Sequence, residues 1–589
     1  MKKALIASLI MGIFILGGTG FLSAQQTAED AKFTKLVNSY LDEYWKFYPT
    51  AATLAGFGKY DNKIEDFSES AIDKRTTAVD AVNKEMITKI AVDKLSPEMQ
   101  LDHRLMLDML DYELFRLEYL DPQEYNPLFY NEIFLHGIRG LLVKNFSEAK
   151  LAAATERAKA LPGFIKFAKE NLKTPPAEYT QAAIDQMPAI LAFFKTDVPG
   201  LIEKSGADAR NKFNAELTKL TAALEDWDRF LQNELMAKST GNFRLGPEAH
   251  ARLLRLTGQT SLMTEELVNR SKADYNNIRR EMALVCIPLY QIMYPSVDLN
   301  KINAGSEDAN RNLVIKGVLD KIQGDHIAKD AWIGKIKNAA GEIKSFIEKT
   351  NILDIPSANV SIDPMEPIFQ GLTWLKFIPP TAYENGGDYK IQIQPVPASW
   401  PEDKVQSFLE EFNNFYLYFW TVERVYPGMF FPAATAAAVP SSIVRKLAPF
   451  AQPLLTGWPL YTEEMFIYAG FGEYDLRLRL NQLKLKLKAV IDFQMELNVH
   501  QGNFTKEQVI AYMTKGGFMT EAEAERKWQM LVLNPGYSFY PYAGYQEILD
   551  MEKDYKAAKG QAFNQKEFLN KLTGFGPLPI RQIKAKMAQ

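Results

Sequence analysis

Apolar residues recur at helical spacing along most of the chain. KFTKLVNSYLDEYWKFYP sets the pattern and stops near Pro49, and LDHRLMLDMLDYELFRLEYL repeats it up to Asp121-Pro122. Side chains three and four positions apart share one face of a helix, so this spacing predicts amphipathic helices. FSEAKLAAATERAKALPGFIKFAKENL continues the texture, with Pro162 expected to open a new segment because proline cannot close the preceding turn. AAIDQMPAILAFFKTDVPGLIEKS and NAELTKLTAALEDWDRFLQNEL add two long helices, and the Pro and Gly residues between them read as joints. In SLMTEELVNRSKADYNNIRREMALV, Thr264 is placed to cap a helix with Leu267 facing inward, although Glu266 falls one position short of the capping-box spacing. A further helical region covers much of 302–350.

The pattern then breaks. NVSIDPMEPIFQGLTWLKFIPPTAYENGGDYKIQIQPVPASW is rich in Pro, Gly and aromatic residues, and YKIQIQP within it alternates as a short strand does. A small β element is expected near 385–397, lining a cavity or lying across the helical body. Helical texture returns after Pro401. No fixed-period repeat and no linker forces a cut. The expected fold class is therefore mainly α, with one helical domain over 25–589 that leaves room for two lobes.

The first residues stand apart from this pattern. Lys2 and Lys3 precede an apolar run from Ala4 to Leu16, and Leu22-Ser23-Ala24 resembles a small-residue cleavage site. This arrangement predicts a secretory signal peptide over 1–24 and an exported mature chain, periplasmic or extracellular, beginning at Gln25. The run is short for a membrane anchor, and Gly17, Gly18 and Gly20 weaken a spanning helix. No transmembrane span is expected in the mature chain. No cysteine follows the cleavage region, so a lipid anchor is not indicated.

Composition narrows the functional classes. Of 589 residues, 47% are hydrophobic and 12% aromatic, enough for a large buried core. The formal charge is -4, becoming -6 without Lys2 and Lys3, and no Lys/Arg block accompanies a nucleic-acid motif. Nucleic acid is excluded as an expected partner. The one cysteine, Cys286, lies in the apolar EMALVCIPLY and reads as a buried small hydrophobe. GxSxG, GxGxxG and phosphate-loop patterns are absent. A paired-carboxylate glycosidase stays open, but no pair among the 72 acidic residues stands out.

Several segments, in order, resemble the DUF885 family of bacterial proteins, whose members resemble helical zinc metallopeptidases. YLDEYWKFYPTAATLAGFGKYD carries Trp45, Pro49, Thr53, Gly56 and Asp61; NPLFY and FRLGPEAH follow; TGWPLYTEE, LNPGYSFYPYAG and LTGFGPLPI close the series. The resemblance runs from about residue 30 to the end. It implies a large helical zinc-peptidase-like body with a deep central cleft.

The family motif HEVYPGHxxQ meets ERVYPGMFFP here. Glu423 stands at the first histidine position, Arg424 at the glutamate, Met429 at the second histidine and Pro432 at the glutamine, while Val425, Tyr426, Pro427 and Gly428 remain. EGWALYAEE becomes TGWPLYTEE, with Thr456 in place of the acidic residue that helps hold metal, and Glu463 and Glu464 kept. A VDxGLH element is matched by VIDFQMELNVH, where Asp492 remains and Glu496 takes the histidine position; His500, one turn on, is a displaced substitute or has a surface or capping role. PGQAxSYxxG becomes PGYSFYPYAG, with Tyr537 at the glutamine and Pro541 at the tyrosine.

These exchanges remove the chemistry. A catalytic zinc needs several fixed N, S or O ligands and an open water position. Arg424 cannot accept a proton, and Met429 is a poor zinc ligand. The histidines are only five, His103, His136, His250, His326 and His500, and none pairs as HExxH. His103 and His136 read as structural, His250 as a weak metal signal beside Glu248, and His326 as exposed. No metal and no cofactor is expected, nor zinc-peptidase activity.

The leading reading is an exported, catalytically degenerate peptidase-like protein that binds a peptide or polypeptide, with Tyr426, Trp458, Tyr461, Asp492 and Tyr537 as ligand-binding candidates. The alternatives are a hydrolase with altered chemistry, built on an acidic cluster of Glu423, Glu463, Glu464, Asp492 and Glu496, and a structural interaction protein.

Overall fold

The structure, a computed structural model, describes residues 27–588 apart from 145, 303, 372 and 385. The signal peptide expected over 1–24 lies outside the described residues. The chain is predominantly helical, from Ala28–Phe47 to Ile580–Met587, with one small sheet. Among the described residues no helix is long and apolar enough to cross a membrane.

Local signals set many helix starts. Thr27 and Asp30 close a capping box on Ala28–Phe47, satisfying two backbone donors at its start. Pro49, Pro97, Pro122 and Pro127 each occupy a first turn, where the missing N–H costs nothing. Two sequence expectations fail. Pro162 opens no new segment: it lies inside the helix Glu148–Asn171, whose neighbours Leu161, Phe164 and Ile165 are buried. That burial outweighs the ~3 kcal/mol that an interior proline costs. Thr264 caps nothing either. It is the first residue of Thr264–Met293, Met263 is the N-cap without a side-chain bond, and Glu265 and Glu266 face the positive end of the helix instead.

Three large cores organise the body. One is built by the helices Pro127–Leu142, Glu148–Asn171, Ala177–Ala192 and Ala207–Phe230 around Phe134 and Trp227. Another joins Thr264–Met293 and Glu307–Ile322 to the long helix Leu476–His500, and buries Cys286, whose thiol burial pushes up to about 12. The largest packs the N-terminal helices and the sheet against the segments that carry the family motifs.

The sheet has three strands, β1 (Val360–Pro364), β2 (Leu375–Ile378) and β3 (Tyr389–Ile393), in the order β1-β3-β2. β1 runs parallel to β3, with Ile362 opposite Ile391, and β2 runs antiparallel to it, with Phe377 opposite Ile391. The expected strand at YKIQIQP is β3; its two partners come from the Pro- and aromatic-rich stretch before it.

The N-terminal family signature is a joint. Arg157, fully buried, donates from Nε to the Lys63 carbonyl (2.7 Å), from Nη1 to Gly137 (3.0 Å), and from Nη2 to the Pro49 carbonyl (2.9 Å) and Thr53 Oγ1 (2.8 Å). Thr53 also bonds Asp61 Oδ1 at 2.6 Å, and Trp45 Nε1 donates to Tyr383 Oη at 2.8 Å. Gly56 sits at φ 91°, where a Cβ would fall 2.7 Å from Thr381 Oγ1. The signature thus fastens the first helices to the loop between β2 and β3.

Candidate functional site

The helix Asn414–Arg424 ends at the family motif and delivers Glu423 and Arg424 on its last turn. The backbone then folds back: Tyr426 N–H donates to the Thr421 carbonyl (2.8 Å) and Gly428 N–H to Val422 (2.9 Å). Gly428 adopts φ +46°, and a Cβ there would lie 2.9 Å from the Arg424 carbonyl carbon. The retained PG therefore reverses the chain and returns Met429, just before the helix Phe430–Ala438, to the same opening.

That opening is a cleft of about 520 Å³, which Glu423, Arg424, Met429, Asp492 and Tyr537 all line. Asp492 comes from Leu476–His500, Tyr537 from the turn before Tyr540–Lys559, and residues 373–377, including β2, form another wall. A larger chamber of about 830 Å³ meets it at Thr373, Met530 and Tyr537, which line both.

The other candidates lie elsewhere. Tyr426 packs on Phe430 and edge-on to Phe431. Trp458 faces a separate small cavity with Phe431, Thr435 and Leu569. Tyr461 Oη donates to Glu552 Oε1 at 2.6 Å. Thr456 is buried, its hydroxyl spent on the Gln452 carbonyl at 2.7 Å. Glu496 is fully buried and accepts from His250 Nε2 (2.9 Å) and from the backbone N–H groups of Gly536 (2.6 Å) and Ser538 (3.3 Å). His500 is not at the surface and is not a displaced ligand in the cleft: it is buried, bonds the Leu531 carbonyl at 2.9 Å and stacks on His250. His326 is half-buried rather than exposed, bonded to the Ile327 carbonyl and to Gln406.

The motif segments are held together by close backbone packing. Gln452–Tyr468 crosses Tyr540–Lys559 where Gly457 meets Gly544. A Cβ on Gly457 would lie 2.4 Å from the Gly544 carbonyl carbon, and one on Gly544 would lie 1.7 Å from the Pro453 carbonyl oxygen. Only glycine fits both positions.

Charge at the cleft is mostly paired. Arg424 Nη2 lies 2.8 Å from Glu423 Oε1, its side chain about 32% exposed. Arg526 grips Glu523 through Nε and Nη2, both at 2.9 Å, and Lys527 pairs with Asp492. Lys488 and Lys484 share the buried Glu411, and Lys488 also bonds Tyr416 Oη at 2.9 Å. Burial opposes the charge on Lys488 and Glu411, but attraction prevails: Lys484 and then Lys488 hold the carboxyl down, and Glu411 holds the Lys488 ammonium up. Lys376 differs. Its Nζ sits over the Phe369 ring, no ion pair within 4 Å is found for it among the described residues, and burial, helped by nearby Arg139, pulls it down to about 8.

Behind Glu423 lies Glu463, fully buried, with neither oxygen hydrogen-bonded. Burial first, and then the Glu423 charge, raise this carboxyl well above its usual range; the Gln482 amide favours its ionised form but closes no hydrogen bond to it. Burial thus favours the protonated form of Glu463. The expected acidic cluster does not assemble: Glu464 is paired with Lys486, Asp492 with Lys527, and Glu496 with His250. Among the described residues no group of three or more His, Cys, Asp or Glu is placed to hold a metal ion. The residues at the zinc position do not fit zinc. Their carboxylate is engaged by a guanidinium, and their thioether is a soft, weak donor.

Lys376, Lys488, Glu411, Glu523 and Arg526 were not among the sequence candidates. They converge on the motif from segments far away in the chain, and the one available hint was lysine recurring inside an apolar stretch, LNQLKLKLKAV.

The fold and site define a class: a large helical body with a small mixed sheet and a cleft lined by the motif segments. The chain belongs to the DUF885 family, described as "Bacterial protein of unknown function (DUF885)", whose model matches residues 49–587. None of the curated proteins matches it. Among solved structures it resembles a protein of Shewanella oneidensis named as a lipoprotein of unknown function, with TM-score 0.78 and 22% identity over 95% of this chain and 100% of that one. It also resembles a protein of Colwellia psychrerythraea named as a lipoprotein, with TM-score 0.73 and 15% identity over 95% and 99%. At these identities the likeness shows the fold.

Proposed function

We propose that this is an exported polypeptide-binding protein, which holds an extended segment in the two-chambered cleft without cutting it. The observation that carries this reading is the Glu423–Arg424 pair at the mouth of the former zinc position, inside a cleft that remains open. Aromatic rings line both chambers, among them Trp374, Tyr416 and Trp420 in the first and Phe129, Tyr179 and Phe243 in the second. Such rings offer large apolar contact with little loss of conformational freedom. Asp492 and Tyr537 are the proposed ligand contacts among the sequence candidates, and Tyr537 guides a ligand from one chamber to the next.

Export rests on the leader-like residues 1–24, with 25–589 acting as one helical unit, and agrees with the naming of both structural relatives as lipoproteins. The single cysteine of this chain, Cys286, is buried in a helix and cannot carry a lipid.

A hydrolase with altered chemistry has one observation in its favour: two neighbouring carboxyls in unlike environments, Glu463 sealed in the core and Glu423 beside a guanidinium, resemble an acid–base arrangement. Both Glu463 oxygens are sealed from solvent, which weighs against it. The test is to incubate the chain from residue 25 with a peptide mixture, following binding by calorimetry, cleavage by mass spectrometry and metal content by elemental analysis. Binding without cleavage is expected. Metal-dependent cleavage by a chain holding one zinc overturns the proposal.

A further inference from the structure

The cleft is positive in a protein that is not. The inner chamber is lined by Lys376, Arg424, Lys488, Arg526 and Lys527 against Glu423, Asp492 and Glu523. The outer chamber adds Arg116 and Arg244 against Glu132. Seven cations thus face four carboxylates, an excess of three positive charges, whereas the whole chain carries -4. Buried Glu411 and Lys484 add one charge of each sign behind the wall, so the excess stands; Glu463 is fully buried and does not line either chamber.

Two of these cations have capacity to spare. Arg424 makes one ion pair, to its neighbour Glu423, and about a third of its side chain is open to the cleft. A guanidinium offers five N–H donors in a fixed fork, so most of its donors are uncommitted. Lys376 has its Nζ over the Phe369 ring and no ion pair within 4 Å among the described residues; burial lowers its ionisation, against the pull of the more distant Glu132 and Glu366. The two come from different elements, β2 and the end of the motif helix, and line the same chamber. A carboxylate between them would satisfy both. Low-dielectric aromatic walls strengthen that attraction.

From this we infer that the cleft selects acidic polypeptide: a carboxylate of the bound chain, from an Asp or Glu side chain or from a free C-terminus, is received by Arg424 and Lys376. The inference rests on the polypeptide-binding reading and adds the chemistry of the ligand to it.

The experiment is fluorescence anisotropy with the chain from residue 25 and matched short peptides of one backbone sequence: acidic, amide-neutralised (Asp and Glu replaced by Asn and Gln) and basic. Each is made with a free and an amidated C-terminus. The acidic peptides should bind at least about tenfold more tightly than the neutral ones, the order expected of one charge-assisted hydrogen bond, and the gap should shrink as salt rises. Arg424→Gln and Lys376→Gln should each remove about tenfold from acidic peptides and little from neutral ones, with circular dichroism confirming the fold. Because the two positions lie on different walls, loss of fold in one variant leaves the other as the test. If tight binding needs the free C-terminus, the terminal carboxylate is the group received; if the amidated acidic peptide binds equally well, it is a side chain.

Equal binding of acidic, neutral and basic peptides overturns this inference and leaves polypeptide binding intact. Binding of an oligogalacturonate with no peptide bound overturns the polypeptide occupant. Binding of neither probe overturns both.

Discussion

Glu496 stands at a family histidine position, and restoring histidine there separates a dormant metal site from a structural latch. The carboxylate is fully buried and accepts from the Gly536 and Ser538 N–H groups and from His250 Nε2. Those three donors hold the turn that presents Tyr537 to the cleft. In Glu496→His, one imidazole offers at most one acceptor for three donors, so two stay unpaired in a site closed to water. Each such group costs about 1–3 kcal/mol, and removing one partner of a buried charged network typically costs about 3–5 kcal/mol. We expect Glu496→His to lose about 3 kcal/mol or more, with Glu496→Gln losing less because it keeps the shape and one acceptor. Urea unfolding followed by circular dichroism measures this, with pulse proteolysis as the readout if unfolding is irreversible. A Glu496→His protein as stable as the parent refutes the latch. If that protein also binds a divalent metal together with His250 and His500, the region is a metal site in waiting.

Three further outcomes are expected. Glu463 has its folded ionisation raised above its ordinary 4.5, so the folded chain holds a proton that the unfolded chain releases as pH climbs past that value. Its contribution is therefore intact in acid and is lost with rising pH, at up to about 1.4 kcal/mol per pH unit; Glu463→Gln should match the parent near pH 4 and exceed it increasingly toward pH 8, and a pH-independent difference refutes this. Gly544→Ala would drive a methyl into the Pro453 carbonyl and should cost about 3 kcal/mol or more, whereas Gly163→Ala, with open space around a helical glycine, should gain up to about 1 kcal/mol; thermal scans compare them, and equal shifts refute the close crossing. Arg157→Lys should lose about 3–5 kcal/mol in urea because one ammonium cannot reach four carbonyl and hydroxyl oxygens at once, and a shift under 1 kcal/mol would show that the N-terminal joint does not depend on the fork.

The helical body is legible because its signal is local. Phe33, Val37, Tyr40 and Leu41 repeat at helical spacing, and all four are buried. Pro162 misleads because propensity is also local, while the burial of Leu161, Phe164 and Ile165 that overrides it comes from other helices. Thr264 misleads by one position, which is where boundary signals are weakest. At the site, the altered residues are legible one by one because the frame around them gives them places. Their partners are not. That Glu411 neutralises Lys484 and Lys488, or that Glu496 is answered by His250, depends on contacts between residues far apart in the chain. Tyr426 shares a motif with the cleft residues Glu423, Arg424 and Met429 but lies in the turn after the helix and packs on Phe430 and Phe431, while Trp458 and Tyr461 belong to a helix segment that faces another cavity and Glu552.

The family motifs divide along one line. The positions that match the pattern are those where the backbone allows little else: Gly428 reverses the chain, Gly457 and Gly544 let two helices touch, and Gly56 clears Thr381. The positions that depart from it, Glu423, Arg424, Met429, Thr456 and Glu496, are those whose side chains would do chemistry on zinc. Four of the five are partnered, since Arg424 pairs with Glu423, Glu496 closes a buried network with His250 and Thr456 bonds its own helix, while Met429 lines the cleft. A frame fixed by close packing, with an open cleft whose lining carries a positive excess, is what the proposed binding of an acidic polypeptide needs.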